Sequence, residues 1–252
     1  MAIQFFTRLP VNINIDFNEK NVKSAFYFFP VLGGIIGGLC LLPIYFVPNS
    51  YLETAAVISV IIYFLITGGI HTDGLADTFD GFCSAREKDK ILEIMKDPHI
   101  GTFGTLAITL TCIIRWICYT GVMPFGGILI LAGIISRFCG LTTVIFSKPA
   151  KDTGLGTFFH KSASKISFFF WLIPIELLCF FYPEIASFSF KHELTFIFRL
   201  KFLLFPAAAL ILTYIIINIS NKKIKGTTGD VNGCIVELTE ILILLLTIFI
   251  RL

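Results

Sequence analysis

The sequence predicts an all-α membrane protein, a polytopic helical bundle of about seven transmembrane helices that forms one domain over residues 1–252. Composition is the first reason. Hydrophobic residues make up 56% of the chain and charged residues only 15%, whereas a soluble domain carries about 25% charged residues. The apolar residues also lie in windows of membrane-crossing length, about 20 residues each. Finally, basic residues recur in alternate connections between these windows, as they do in multi-pass membrane proteins.

The predicted spans follow one another along the whole chain. In the first span, the glycines of 33–38 form a doubled small-xxx-small pattern, which predicts close helix packing. The number of spans depends on the stretch 183–201, where proline, phenylalanine and basic residues are mixed. The seven apolar windows are 26–47, 54–71, 105–122, 126–146, 166–182, 202–219 and 235–251.

Basic residues predict the orientation of the bundle. They lie in the N-terminal segment and in the connections 72–104, 147–165 and 220–234, while the connections 48–53 and 123–125 contain none. The positive-inside rule therefore predicts that the basic segments, and any functional loops among them, face the cytoplasm. We expect a multi-pass protein of the cell inner membrane that contacts membrane lipids. A net charge of +3 is too small to indicate a nucleic-acid partner.

Three aspartates follow the second predicted span. Asp73, Asp77 and Asp80 are spaced i, i+4 and i+7, so a helix places them on one face. At about 6 Å apart and an effective dielectric near 20, each neighbouring pair repels by roughly 3 kcal/mol. A compensating cation is therefore expected, and oxygen-only ligands favour Mg²⁺ over Ca²⁺ or Mn²⁺. His71 lies about 200° around the helix from Asp73, which leaves a structural hydrogen bond and a catalytic role equally open.

Two more polar segments are predicted on the same membrane face. One covers 151–158, and the other covers 222–233 and leads into Glu237. Together with the aspartates they offer metal ligands, basic side chains, and glycines whose backbone N–H groups an anion can approach. Those are the components of a phosphoryl-transfer site. Taken singly, Arg86 is also explained as a topogenic charge, and a glycine run is commonly just a turn.

Two arginines lie within predicted spans, where an unpaired charge is costly. We expect Arg115 to pair with a carboxylate on a neighbouring helix, and Arg137 to face the bundle interior, where Glu176 is a candidate partner. Transporters also carry such charges, near the bilayer midplane in broken helices. In this sequence the carboxylates gather at one membrane face, which favours an enzyme and leaves a transporter as the weaker alternative.

Short motifs extend this pattern over the whole chain. They are Phe6-Thr7-Arg8-Leu9-Pro10-Val11, Phe29-Pro30-x-x-Gly33, the Gly68–Gly81 block, Ser84-Ala85-Arg86, Leu92-Glu93-Ile94-Met95-Lys96-Asp97, Ile100-Gly101, Ser136-Arg137, Gly154-Leu155-Gly156, and Thr228-Gly229-Asp230-x-x-Gly233 with Glu237-Leu238-x-Glu240. With these motifs the sequence resembles the cobalamin synthase family of membrane-bound adenosylcobinamide-GDP ribazoletransferases. It departs from the family pattern at Thr72, where leucine is usual, at Pro98-His99, where a Ser-Arg pair is usual, and at 224–226, which replaces a Gly-Gly turn.

The resemblance implies a definite reaction. The family joins GDP-activated adenosylcobinamide to the 5′-hydroxyl of α-ribazole or α-ribazole 5′-phosphate, releases GMP and requires Mg²⁺. By this resemblance the loop Gly226–Asp230 is expected to close over the substrate. The expected site residues are Asp73, Asp77 and Asp80 for the metal, Asp97 and His71 for catalysis, and Arg86, Lys96, Arg137, Gly226, Thr228, Gly229, Asp230 and Glu237 for substrate binding.

A second enzyme class remains open. The run Asp77-x-x-Asp80-Gly81 followed by Ala85-Arg86 is similar to the motif of CDP-alcohol phosphotransferases, so a phospholipid-forming enzyme is an alternative. Such an enzyme would need a lipid-facing cleft. The seven cysteines show no CxxC spacing and are expected to be reduced core residues. The sequence is also compatible with a homo-oligomer.

Overall fold

The computed structural model describes residues 1–123, 127–151, 155–162, 164–185 and 196–251. Within these ranges the regular structure is helical, apart from an isolated β-bridge between Pro149 and Thr227. The all-α prediction is therefore confirmed. The α-helices are α1 (Ala2–Phe6), α2 (Glu19–Tyr27), α3 (Phe29–Leu41), α4 (Pro43–Phe46), α5 (Leu52–Thr67), α6 (Ile70–Cys83), α7 (Lys88–Ile94), α8 (Thr102–Val122), α9 (Ile128–Phe146), α10 (Leu155–Ser162), α11 (Lys165–Ile185), α12 (Phe196–Phe202), α13 (Leu204–Ile224) and α14 (Gly229–Arg251).

Six helical segments of the described chain are long and apolar enough to cross a membrane. A seventh candidate is the pair α5 and α6, which meet at an angle of 88°. Each predicted span therefore has a helical counterpart, which confirms a polytopic bundle. Residues 124–126 and 186–195 lie outside the described residues. The second of these ranges is part of the stretch 183–201, on which the number of spans depends. The six segments are Phe29–Phe46, Thr102–Val122, Ile128–Phe146, Lys165–Pro183, Arg199–Ile224 and Gly229–Phe249.

The second predicted span ends in a sharp turn. α5 is 16 residues long, or about 24 Å. Gly68 and Gly69 follow it with φ values of +61° and +71°, a left-handed conformation that residues with a Cβ atom rarely adopt. The connection 72–104 contains most of α6, the helix expected to carry the three aspartates, and all of α7. Because α6 runs almost at right angles to α5, we treat it as lying along the membrane surface, outside the spans.

The polar connections meet at one end of the bundle, as their basic residues predict. The backbone N–H of Arg8 donates to the carbonyl of Ile66 at 2.7 Å, and that of Thr227 donates to the carbonyl of Lys148 at 2.7 Å. These bonds join the N-terminal segment to α5, and the segment after α9 to the one before α14. The outer surface carries exposed apolar side chains such as Ile173, which is 65% exposed. Such a surface suits contact with lipid.

α3 and α9 cross with their backbones in contact. Gly33 lies against the carbonyl of Gly133, and Gly37 lies against that of Leu129, so a Cβ atom at either position would overlap the neighbouring carbonyl. The glycine pattern predicted to permit close packing therefore does so within the bundle. The same crossing places the side chain of Arg137 beside Gly33.

Candidate active site

α6 brings the aspartates to the first turn of α14. Gly74 packs against the backbone of Asp230, where a Cβ atom would overlap it, and Gly233 packs against the backbone of His71. The two helices can approach closely because glycines stand at the contact. Asp73 is exposed and Asp77 is half-buried. The close crossing thus adds Asp230 to the aspartates of α6, and we call Asp73, Asp77 and Asp230 the carboxylate row.

The neighbouring carboxylates act on the pKa of Asp77. Burial, followed by the neighbouring carboxylates of Asp73, Asp230 and Asp80, raises the pKa of Asp77 to about 7. Nearby negative charges disfavour a further ionised carboxylate, and a bound cation reverses that effect. The row therefore has the charge that attracts a divalent cation.

Asp80, by contrast, forms hydrogen bonds with the protein backbone. Its two carboxylate oxygens accept the backbone N–H groups of Gly101 and Gly104, both at 2.8 Å. These N–H groups belong to the first turn of α8, where no helical partner exists for them. Asp80 therefore fixes the start of α8 against α6, and only its remaining lone pairs are free for a metal ion.

The metal site itself is not preassembled. Within the described ranges, no group of three or more His, Cys, Asp or Glu side chains is arranged to hold a metal ion. The donor chemistry still fits Mg²⁺, since this ion keeps several water ligands and is usually bound by one or two carboxylates together with substrate phosphates. Asp73 and Asp77 are the α6 carboxylates left free for that purpose.

A cleft of about 240 Å³ lies beside the row and is lined by Lys96, Lys151 and Asp230, among others. Lys96 follows α7 and Lys151 follows α9. Burial and the adjacent Lys96 ammonium lower the pKa of Lys151, so the two cations stand next to each other. An anion bound between them would relieve their repulsion. We call this space the lysine cleft.

The glycine-rich segment before α14 forms one wall of the lysine cleft. Thr227 accepts a backbone bond from Ala150 at 2.9 Å as well as donating to Lys148. The hydroxyl of Ser220 donates to the carbonyl of Gly226 at 2.5 Å, and Gly226 is buried. The peptide groups of Gly226 and Thr227 are therefore already paired within this wall. Closure of the segment over the substrate, expected from the resemblance, stays a prediction.

Thr228 and Asp230 organise the start of α14. The Thr228 hydroxyl accepts the N–H of Val231 at 3.3 Å and donates to the carboxylate of Asp230 at 3.2 Å, which caps the helix. No heavy atom lies within 4 Å of the place a Cβ atom would take at Gly229. Gly229 is exposed and lines the lysine cleft, so the N-terminal end of α14 faces this cleft, and a helix N-terminus favours anions.

Arg86 and Asp97 lie in exposed turns on either side of α7, and neither lines the lysine cleft. The carboxylate of Asp97 accepts the N–H of His99 at 2.9 Å and contacts its ring Nδ1 at 2.8 Å. These two contacts, the backbone one first, lower the pKa of Asp97. A carboxylate with a lowered pKa is a weaker base for removing a proton near neutral pH.

His71 is buried away from the cleft. Its ring centroid lies 6.2 Å from that of Phe6 and 5.9 Å from that of Phe29, and the residue is 6% exposed. Its Nδ1 has no hydrogen-bond partner in the described part of the chain. The sequence left a structural and a catalytic role open, and this position favours packing.

Arg137 and Glu237, expected to bind substrate, lie inside the bundle. Nη2 of Arg115 is 2.6 Å from Oε2 of Glu237, and Glu240 pairs with both Arg115 and Arg137. The two arginines are fully buried. The expected pairing of Arg115 with a neighbouring helix is confirmed. The pairing suggested for Arg137 with Glu176 is wrong, because Glu240 of α14 takes that position.

Glu237 also connects this network to α6. Its Oε1 accepts the hydroxyls of Tyr63 and Thr72, both at 2.8 Å. Thr72 directly precedes Asp73, so the buried network helps to position the carboxylate row. The threonine that departs from the family pattern thus supplies a bond that leucine would lack. Arg137 and Glu237 are placed as positioning residues.

Two residues of this arrangement were missed as site candidates. Lys151 belongs to the polar segment 151–158, but its approach to Lys96 depends on the tertiary structure. Residues 152–154 of that segment lie outside the described residues. Glu240 follows Glu237 at i+3, a spacing that places both on one helix face and that matches the two arginines in the preceding spans.

The family model that matches this sequence and the similar proteins that were found agree with one another. The family model described as cobalamin-5-phosphate synthase matches residues 1–248. A relative from Treponema denticola, named adenosylcobinamide-GDP ribazoletransferase, is 61% identical over 253 residues, covering 100% of this chain and 97% of its own. Relatives with the same name from Clostridium botulinum (strain Okra) and Clostridium kluyveri are 37% and 33% identical, covering 99% and 96% of this chain and 96% and 92% of their own. No solved structure matches.

Proposed function

Because the chain belongs to the cobalamin-5-phosphate synthase family, we propose that it transfers the adenosylcobinamide-phosphate group from adenosylcobinamide-GDP to α-ribazole or α-ribazole 5′-phosphate, with GMP as the leaving group and Mg²⁺ as cofactor. The observation that carries this proposal is the carboxylate row beside the lysine cleft. Carboxylates for a metal ion and cations for phosphates are the parts that cleavage of a pyrophosphate requires.

The nucleophile is a ribose hydroxyl of the acceptor. The 5′-hydroxyl expected from the sequence cannot serve for α-ribazole 5′-phosphate, since its 5′ oxygen already carries the phosphate. The family description names a 5-phosphate product, which keeps that group. We therefore assign the attack to a ribose hydroxyl that is free in both acceptors.

The reaction forms one bond and breaks one. The hydroxyl oxygen attacks the phosphorus that carries the cobinamide, and the bridging P–O bond to GMP breaks. The hydroxyl proton leaves to solvent or a nearby carboxylate, and the electron pair of the broken bond stays with GMP. Attacking and leaving oxygens lie roughly in line in such transfers, so acceptor and GMP occupy opposite sides of the reacting phosphorus.

With Mg²⁺ bound, the carboxylate row would hold the pyrophosphate end of the donor. Asp73 and Asp77 are the proposed ligands, and bound Mg²⁺ would offset the negative charge of the pyrophosphate and of the transition state. Asp80 keeps α6 in register with α8 through Gly101 and Gly104. Asp97 is retained for orienting the acceptor rather than for removing its proton, because its pKa is lowered.

The lysine cleft receives the leaving group. GMP gains negative charge as the bridging bond breaks, and fixed cations aimed at that charge lower the barrier. Lys96 and Lys151 supply two such cations, and the N-terminal end of α14, which lines the same cleft, adds the positive end of the helix dipole.

The alternatives weighed from the sequence are less well supported. The arginines inside the bundle pair with Glu237 and Glu240, so they are not free to carry a transported ion. A phospholipid-forming enzyme is disfavoured by the family match, which extends over residues 1–248.

Purified protein tests the proposal directly. With adenosylcobinamide-GDP, α-ribazole and Mg²⁺, GMP should be released in proportion to product. Asp77→Asn should lower this rate by about 100-fold or more, whereas Asp89→Asn, which removes an exposed carboxylate from α7, should leave it unchanged. Unchanged turnover in Asp77→Asn would remove Asp77 from the metal site, and absence of GMP with the unmodified protein would overturn the function.

A further inference from the structure

A second cleft, of about 680 Å³, lies between the N-terminal segment and the turn that joins α5 to α6. It is larger than the lysine cleft and within the range of small-molecule sites, about 300–1,000 Å³. Its walls include the apolar side chains of Phe5, Phe64 and Ile108. Gln4, Arg8 and Asp73 provide polar groups in the same space. Aromatic and aliphatic walls with a few polar groups suit a planar base joined to a sugar.

Arg8 is fixed at the rim of this second cleft. Its backbone N–H donates to the carbonyl of Ile66 at 2.7 Å, and its side chain lies over Gly68, where a Cβ atom would come within 2.6 Å of the Arg8 side chain. Among the described residues Arg8 forms no ion pair. The Arg8 side chain is exposed and its charge is available to a ligand, and a guanidinium is well suited to a phosphate group.

Asp73 places one member of the carboxylate row in the second cleft. It lines this cleft, whereas Asp230 lines the lysine cleft. Each of the two clefts therefore contains one member of the carboxylate row. An in-line transfer places the leaving group on one side of the phosphorus and the nucleophile on the other, and two separate clefts beside one row suit these two groups.

We propose that the second cleft is the acceptor site: it binds the base of the nucleoside between Phe5, Phe64 and Ile108, and Arg8 binds the acceptor's 5′-phosphate. This inference rests on the proposed function. Binding in this position points a free ribose hydroxyl towards Asp73 and the metal-bound donor. Unphosphorylated α-ribazole uses the same walls but makes no charged contact with Arg8.

Kinetics with the two acceptors test the assignment. At saturating adenosylcobinamide-GDP, Arg8→Ala should raise the KM for α-ribazole 5′-phosphate by about tenfold or more, the effect of losing a charge-assisted hydrogen bond. The KM for α-ribazole should change by less than about twofold, and that for the donor should not change. Lys23→Ala, which removes an exposed cation from α2 outside both clefts, should change none of these values. Equal effects of Arg8→Ala on the two acceptors, or an effect on the donor alone, would overturn the assignment.

Equilibrium binding separates this inference from the proposed function. Labelled α-ribazole 5′-phosphate should bind the unmodified full-length protein without donor, and Arg8→Ala should weaken this binding by a similar factor. Gly68→Ala should also weaken it, because the added methyl group displaces Arg8. Equal affinity in the unmodified protein and Arg8→Ala would refute the acceptor site even if turnover is normal. Conversely, Arg8-dependent binding without GMP release would retain the site and refute the reaction.

Discussion

Nη2 of Arg115 lies 2.6 Å from Oε2 of Glu237, and this contact joins two helices deep inside the bundle. Glu237 in turn accepts hydrogen bonds from Tyr63 of α5 and Thr72 of α6. The position of the carboxylate row therefore depends on a buried ion pair that no substrate reaches. Removing one partner of such a pair leaves an uncompensated charge away from water.

Glu237→Gln should consequently affect stability more than substrate affinity. The substitution leaves two arginines to share Glu240, and loss of one partner from a buried pair costs about 3–5 kcal/mol. Thermal unfolding in detergent should show a large decrease in Tm, while Glu53→Gln, an exposed acid on α5, should show none. An unchanged Tm combined with a raised donor KM would make Glu237 a direct substrate contact instead.

The Mg²⁺ requirement should depend on pH through Asp77. A carboxyl with a raised pKa holds its proton at higher pH, and the protonated form does not ligate a metal ion. Below the pKa of about 7, the Mg²⁺ concentration that gives half-maximal GMP release should rise, by up to about tenfold per pH unit. Above that pKa it should level off. Mg²⁺ titrations one unit on either side of neutrality measure this, and an identical requirement at both would contradict it.

Asp97→Asn should lower the rate of GMP release only modestly. The carboxylate is half exposed, its side chain being 55% accessible, and it is already bonded to His99. Removal of a general base costs about 100-fold or more in rate, whereas loss of an orienting contact should lower kcat by less than about tenfold. Single-turnover measurements of GMP release distinguish the two results. A loss of 100-fold with unaltered Mg²⁺ affinity would identify Asp97 as the base after all.

Lys225→Gly should stabilise the protein. Lys225 ends α13 with a φ of +61°, a left-handed conformation that glycine adopts without the steric cost of a Cβ atom. The expected gain is about 0.5–1 kcal/mol in the free energy of unfolding. Lys222→Gly, within the last helical turn of α13, should instead destabilise by up to about 1 kcal/mol. If Lys225→Gly and Lys222→Gly unfold at the same temperature, the left-handed conformation of Lys225 does not lower the stability of the protein.

The sequence predicted most of the bundle because the membrane imposes a simple rule. A span of about 20 apolar residues is nearly sufficient to identify a transmembrane helix, and the glycines of 33–38 added the close contact of α3 with α9. The turn at Gly68 and Gly69 was not predicted, since a pair of glycines does not specify the angle between two helices. The direction of α6, which begins directly after this turn, was consequently not predicted either.

The parts of the site that depend on the spacing of residues along one helix were predictable. Asp73, Asp77 and Asp80 share a helix face by periodicity alone, but only the crossing at Gly74 adds Asp230 to them. The capping of α8 by Asp80 and the meeting of Lys96 with Lys151 are tertiary contacts between distant segments. Arg137 and Glu237 were expected at the substrate because their motifs match the family, and here they hold helices together.

The buried ion network also constrains how the protein is made. Arg115 and Arg137 precede their partner Glu240 by 125 and 103 residues in the chain. During synthesis both arginines therefore enter the bilayer before α14 is available to neutralise them. A nascent chain that stops short of α14 retains two unpaired cations in a low-dielectric environment and is a natural target for membrane proteolysis. The charges of Arg115 and Arg137 are thus neutralised only when α14 inserts.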